Sequence, residues 1–311
     1  MKVIIDNFAL LFFKNFCWIV RNLPQDLGEF ICIIFVRFCL LLVARSKQVA
    51  LVNLKACFPE KSAEELNRIY KDSIKVLANN LYTFCLIPKL DRKILETSID
   101  LNNFAKLYLE LKEKSPTGSV IFATAHFGSF ELMAFVSALV NGPTSILARS
   151  FGLKKTDQWW NSIRAMFGNE VYPRKGGYKE TISRLKEGKN VALLCDQNVK
   201  ANYAIFSDIF GISSATTITV GRAAALTSAP IIFVVMARTD KNKYKIISHE
   251  VETPKDKSDL TRFSTEVMQN YHHHLEDSIK QFPDHWFWIH RRFKTRPPGN
   301  KEDFYESVNN S

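Results

Sequence analysis

The stretch Ser119-Val120-Ile121-Phe122-Ala123-Thr124-Ala125-His126-Phe127-Gly128-Ser129-Phe130-Glu131-Leu132-Met133-Ala134-Phe135-Val136-Ser137-Ala138-Leu139-Val140 decides the fold. Its opening run to Ala125 is apolar and partly β-branched, which fits a buried strand. Gly128 then permits a sharp turn, Ser129 stands where a helix N-cap belongs, and Leu132 to Val140 reads as a buried helix. Further apolar runs at 144–148, 190–195 and 230–236 repeat the strand pattern, with helix patterns between them. This alternation predicts an α/β fold with a central mixed or largely parallel sheet flanked by helices. Upstream, the first hundred residues read as helical, including an amphipathic stretch from Ala63 to Leu86. The 311 residues can bury one substantial core without any internal repeat. After Arg296 the tail, with Pro297-Pro298-Gly299, reads as irregular and peripheral.

The turn of the first unit carries candidate chemistry, because His126 and Glu131 lie five positions apart across it. On one continuous helix that spacing is about 500° of rotation, which points the side chains roughly 140° apart. With a turn between them, Glu131 falls in the first helical turn, where the macrodipole favours an ionised carboxylate able to hold an imidazole in one tautomer. No protein nucleophile accompanies the pair. It therefore suits direct removal of a proton from a substrate hydroxyl, which attacks in turn, rather than a covalent intermediate. The competing reading is a strand-end histidine and a helix-start carboxylate with no chemistry.

Asp196 and Gln197 follow the apolar run Asn190 to Cys195, which places them at a strand's C-terminal end, the edge that commonly carries chemistry in α/β sheets. They either direct hydrogen bonds at an acceptor, brace the His126 turn, or cap the strand. Arg174 and Lys175, between Pro173 and Gly176-Gly177 ahead of a helix pattern, either meet a phosphate with side chains and exposed amides or form a solvated turn. Arg164 by itself reads as a solvated arginine on the helix following Asp157.

The formal charge of +11 and pI near 9.3 favour anionic partners: lipid phosphates, an anionic leaflet or an acidic carrier protein. Nucleic acid is disfavoured, since no recognised nucleic-acid motif is present. The densest basic cluster, His290 to Arg296, is interleaved with Trp286, Trp288 and Phe293, a mixture suited either to a membrane interface or to a packed C-terminus. A second membrane signal is the apolar segment Phe30 to Ala44, broken only by Arg37 and shorter than the roughly 20 residues of a comfortable span. It reads as a tilted or shallow uncleaved anchor, with an earlier apolar segment, Phe8 to Val20, interrupted by Lys14 and Asn15 and set off by Pro24. Residues 1–45 are thus expected to form a membrane-associated helical segment and 46–311 the catalytic domain. Six cysteines include no C-x-x-C pair and read as small buried hydrophobes in a reducing compartment. His272-His273-His274 diverge by about 100° per residue on a helix and read as solvated surface rather than one metal face.

Taken in order, the His126–Glu131 pair, Ile163-Arg164-Ala165-Met166-Phe167-Gly168, Pro173-Arg174-Lys175-Gly176-Gly177, Cys195-Asp196-Gln197-Asn198 and the run from Trp286 to Pro297 resemble the bacterial lipid A biosynthesis acyltransferases that add secondary chains. Glycerolipid acyltransferases share the histidine–acid idea but usually carry Asp where this chain has Glu131. The resemblance implies a glycerolipid-acyltransferase-like fold with an N-terminal membrane anchor, at the cytoplasmic side of a bacterial inner membrane. It implies transfer of a fatty acyl group from an acyl carrier protein thioester to a hydroxyacyl chain of a lipid A precursor, without cofactor or metal. His126 and Glu131 would be the catalytic pair, and Arg174, Lys175, Asp196 and Gln197 would bind substrate. Arg164 would stabilise the oxyanion or grip a substrate phosphate. Other membrane acyltransferases, a thioesterase using water, and a noncatalytic membrane-binding protein are the alternatives. G-x-S-x-G, P-loop and G-x-G-x-x-G signals are absent, which disfavours serine hydrolases of that type, P-loop enzymes and dinucleotide enzymes.

Overall fold

Capping and periodicity organise the helical N-terminal third. In a computed structural model that describes residues 2–43 and 45–309, it contains α1 (Lys2–Asn22), α2 (Gln25–Leu42), α3 (Ser46–Cys57), α4 (Ala63–Leu86), α5 (Arg92–Ser98) and α6 (Asn102–Lys114). The boundaries of α4 match the expected amphipathic stretch, and Ser62 starts it with a reciprocal capping box: its hydroxyl accepts the Glu65 amide while Glu65 accepts the Ser62 amide. Pro24 ends α1 and opens α2 without a side-chain cap. Met1, Ala44, Asn310 and Ser311 lie outside the described residues, and with them the end of the expected 30–44 segment and the outer limits of the 1–45 and 46–311 division.

The sheet follows from runs with no polar face. After α6 come β1 (Ile121–Thr124), α7 (Phe130–Asn141), β2 (Thr144–Ala148), α8 (Lys154–Arg164), β3 (Glu170–Pro173), α9 (Gly177–Lys186) and β4 (Asn190–Leu194). A small antiparallel pair, β5 (Ala204–Ile209) and β6 (Ile212–Thr217), leads through α10 (Thr219–Thr227) to β7 (Ile231–Asp240), β8 (Lys243–Glu250), α11 (Leu260–Gln281) and α12 (Glu306–Asn309). The main sheet has the order β3-β2-β4-β1-β7-β8, parallel except for the antiparallel edge strand β8. Alternation along the central strands divides the core between the two faces. Phe122, Ile232, Val234 and Met236 join residues of α5, α6 and α7, whereas Ile121, Ala123, Phe233 and Val235 join α10, α11 and the C-terminal run. The expected mostly parallel α/β sheet is present, with β1, β2, β4 and β7 at the expected runs; β3, β5, β6 and β8 had no clear sequence signal.

Of the two readings of the run from Trp286 to Arg296, a packed C-terminus describes its core members, since Trp286, Trp288, Arg292 and Phe293 are all buried, while Lys294 is exposed. Two expectations are corrected. The tail is not peripheral, because Tyr305 is buried and its hydroxyl both donates to Asn53 at 2.6 Å and accepts the Phe293 amide at 3.1 Å. His272 is not solvated. It lies buried between Ser207 and Arg292, and only His273 of the three is exposed, while His274 stacks on His249 with ring centroids 4.7 Å apart.

The helices α10 and α11 back the sheet at close range, and a Cβ at Gly221 would fall 2.4 Å from the Ser264 Cα. Backbone cannot yield there, so Gly221→Ala should cost about 1–3 kcal/mol through overpacking, measured by urea unfolding. A cost near zero would show that α10 shifts freely.

Candidate active site

Parallel pairing decides which residues meet at the sheet's C-terminal edge. The register of β1 and β4 sets Thr124 beside Leu194. His126 and Asp196 each follow two residues later, so equal overhangs bring imidazole and carboxylate together. Asp196 Oδ1 accepts from His126 Nδ1 at 2.8 Å, and Oδ2 accepts the His126 amide at 3.0 Å and the Trp286 indole N–H at 3.1 Å. Burial acts to raise the Asp196 pKa, but the imidazole, the indole and the amide together hold it below the ordinary carboxylate value. An ionised carboxylate only accepts, so Nδ1 carries the proton and Nε2 is left as the basic nitrogen. The Gln197 side-chain nitrogen stands 3.4 Å from Nε2.

The turn that presents His126 is fixed by backbone. Gly128 takes φ +53°, its amide donates to the His285 carbonyl at 2.8 Å, and the Ser129 amide donates to the Met236 carbonyl at 3.0 Å. A Cβ at Gly128 would lie 2.1 Å from that Met236 oxygen, so glycine is required by space as well as by conformation. Ser129 occupies the N-cap position of α7, although its hydroxyl makes no capping bond. The Phe130 ring meets the imidazole edge-on at 5.2 Å and Phe287 flanks it at 5.8 Å. His126 lines an apolar cleft with these two rings, Leu77 of α4 and Leu40 of α2.

Glu131 sits in the first turn of α7 as expected, but as the orienting acid of His126 it is corrected. Its carboxylate takes the Nε and Nη2 hydrogens of Arg164 as a bidentate pair, with Nε at 3.0 Å. Arg164 closes α8 and is largely buried; burial opposes its charge, but Glu131 and then Asp157 keep its pKa above the ordinary value. Nη1 of Arg164 makes no hydrogen bond among the described residues. Asp196 and Gln197 therefore gather at His126, while Glu131 and Arg164 form a second pair beside Phe130. Arg174 and Lys175 stand apart from both, exposed at the turn between β3 and α9 with no side-chain partner among the described residues.

Sequence reasoning missed the contribution of residues 285–290 to this edge. Trp286 serves the carboxylate through its indole, and the His285 ring, 2.9 Å from Asp284, accepts the Arg238 amide at 3.1 Å. His290 accepts the Asn198 amide at 3.0 Å and stays neutral, burial driving its pKa down to about 4. The signal was present as an aromatic run with embedded histidines, but only the chain path brings it under the strands. Among the described residues no cluster of three or more His, Cys, Asp or Glu could hold a metal.

Residues 5–295 match the family described as bacterial lipid A biosynthesis acyltransferase. The chain is 25% identical over 261 residues to lipid A biosynthesis acyltransferase 2 of Shigella flexneri, covering 84% of this chain and 81% of that one. It is 23% identical to the lipid A biosynthesis myristoyltransferase of Escherichia coli K12, covering 86% and 81% respectively. With the palmitoleoyltransferase of the same strain the identity is 25%, covering 82% and 81%.

Because the Asp196 pKa is lower folded than unfolded, its stabilising contribution is complete above pH ~4 and is lost as pH falls through the folded value. Asp196→Asn does not titrate. The stability gap between parent and variant, followed by urea unfolding, should therefore be widest near neutral pH and narrow on acidification. A gap that grows below pH ~4 would contradict an ionised Asp196.

Proposed function

The chain belongs to the bacterial lipid A biosynthesis acyltransferases, and from that premise we propose that it moves a fatty acyl group from an acyl carrier protein thioester to the hydroxyl of a hydroxyacyl chain on a lipid A precursor. The observation that supports this chemistry best is His126 at a strand end, its Nδ1 fixed on buried Asp196 and its ring set in an apolar cleft. His126 Nε2 removes the acceptor hydroxyl proton as the oxygen attacks the thioester carbonyl. The tetrahedral intermediate collapses with cleavage of the carbon–sulfur bond, and the imidazolium returns its proton to the departing thiolate. Asp196 stabilises the imidazolium between those steps.

The expectation of a His126–Glu131 mechanism is revised within this proposal. With its carboxylate engaged by Arg164, Glu131 acts by aiming the guanidinium, whose free Nη1 faces a developing oxyanion or a substrate phosphate. Gln197 orients the acceptor hydroxyl beside Nε2. Arg174 and Lys175, exposed and without a side-chain partner among the described residues, attract phosphate or an acidic carrier protein from the same edge. The enzyme works at the cytoplasmic face of the inner membrane, a reading supported by the apolar N-terminal helices and the charge of +11.

Incubating the protein with an acyl carrier protein thioester and a hydroxyacylated lipid A precursor, followed by mass spectrometry, tests the reading. An acyloxyacyl product is expected, and release of free fatty acid alone would mark a hydrolase. His126→Ala should fold and lose about 10²–10⁴-fold in turnover. Asp196→Asn should fall in the same range, because its amide no longer fixes the tautomer or supports the imidazolium. Near-normal turnover by folded His126→Ala removes the general base. Arg164→Lys keeps charge but loses the planar fork, so a large loss in that variant is expected as well; full activity there would reduce Arg164 to a structural cation.

A further inference from the structure

The helix α1 is long and apolar enough to cross a bilayer, yet it is tied to the catalytic domain at both ends. Near its start, the Asp6 carboxylate accepts the Lys155 amide at 2.8 Å, the Thr156 amide at 3.0 Å and the Thr156 hydroxyl at 2.9 Å. These amides are donors left over at the N-terminus of α8, so Asp6 caps another helix from outside. At its far end, the Arg21 carbonyl and the Asn22 side chain each accept from Lys89 at 2.9 Å. The start of α2 is held in the same way, by Glu29 on Arg238 at 2.9 Å and Asp26 on Lys241 at 2.6 Å. Crossing a membrane would carry one end of α1 about 30 Å from the other side and strip buried polar groups of their partners.

The two helices nonetheless present one apolar outer surface. The inner side of α1 packs on α4 and α8, with Phe13 edge-on to Trp160 at 5.8 Å, while Ile4, Phe8, Leu11 and Trp18 are each more than 60% exposed. On α2, Phe30, Ile34 and Phe38 continue this surface, and Leu41 and Leu42 are 83% and 72% exposed. Among them stand the exposed cations Lys14 and Arg37, neither with a partner among the described residues. An apolar surface set with free cations is complementary to an anionic lipid leaflet. Its α2 end is continuous with the candidate site, since Leu40, next to Leu41, lines the His126 cleft.

We propose that α1 and α2 lie in the plane of one lipid leaflet without crossing it, and that the Phe38–Leu42 end of α2 forms a lip over which an acyl chain passes laterally from the leaflet into the His126 cleft. This deepens the acyltransferase reading and rests on it only for the identity of the chain that enters. The 311-residue chain, spin-labelled singly at Ile4→Cys, Leu11→Cys, Trp18→Cys or Leu41→Cys, is bound to phosphatidylglycerol–phosphatidylethanolamine vesicles, and label depth is read from collisions with oxygen and with a water-soluble relaxant. All four labels should share a shallow depth of about 5–10 Å below the headgroups. Leu11 at the bilayer centre with Ile4 and Trp18 at opposite interfaces overturns the proposal. So does protection of the labels without vesicles in a protein that sediments as a dimer, which would make the covering partner a second copy. Replacing Leu41 and Leu42 together by Asp should weaken vesicle binding roughly tenfold or more with an unchanged thermal unfolding midpoint; unchanged binding refutes the lip. None of these measurements needs turnover, so a protein that embeds as described but transfers no acyl group would sink the function and leave this geometry standing.

Discussion

A carboxylate at the sheet edge has almost no access to water, and that constraint organises the molecule. Burying an ionised group is costly unless its oxygens are saturated. Asp196 meets the requirement with donors from two other segments, the His126 turn and the Trp286 indole. Each donor must arrive with the right geometry, so β4, β1 and the run after α11 are held in one arrangement. The imidazole gains a fixed tautomer as a by-product of solving a solvation problem.

A second buried charge is solved differently. Among the described residues Arg292 is enclosed without a direct carboxylate partner, donating to the Ala215 carbonyl and the Thr216 hydroxyl at 2.6 Å and approaching His272 Nε2 at 3.1 Å. Burial lowers its pKa to about 10, and burial together with this neighbouring cation keeps His272 neutral, as an acceptor must be. The β5–β6 pair, α11 and the C-terminal run are thereby locked behind the sheet. The basic residues that gave the C-terminus its membrane-like composition include one whose work is wholly internal.

Much of the fold was legible because it is local. An unbroken apolar run, a glycine and a helix pattern are enough to read β1 and α7, and the capping box marks the start of α4. The edge strand β8 was not legible, since Lys243-Tyr244-Lys245-Ile246-Ile247-Ser248-His249-Glu250 mixes polar and apolar residues on a half-exposed strand. The candidate site was half legible. His126 stood out by its turn, but nearness in sequence suggested Glu131 as its acid, whereas the register of two strands 70 residues apart selected Asp196. Register is a property of paired strands, and no single segment encodes it. The tripled histidines misled for a related reason: a polar helix pattern does not reveal which polar face another element will cover.

The equal overhangs of β1 and β4 also bear on when the site comes into being. Its imidazole and carboxylate are 70 positions apart, and the indole is 90 further on, so these contacts have high sequence separation and close against a large loop entropy. During synthesis the sheet edge can form before residue 286 has left the ribosome, and in that interval Asp196 lacks one of its donors. The basic nitrogen is thus given its final setting by a segment made 90 residues after the carboxylate it serves, which couples competence to synthesis through Trp286.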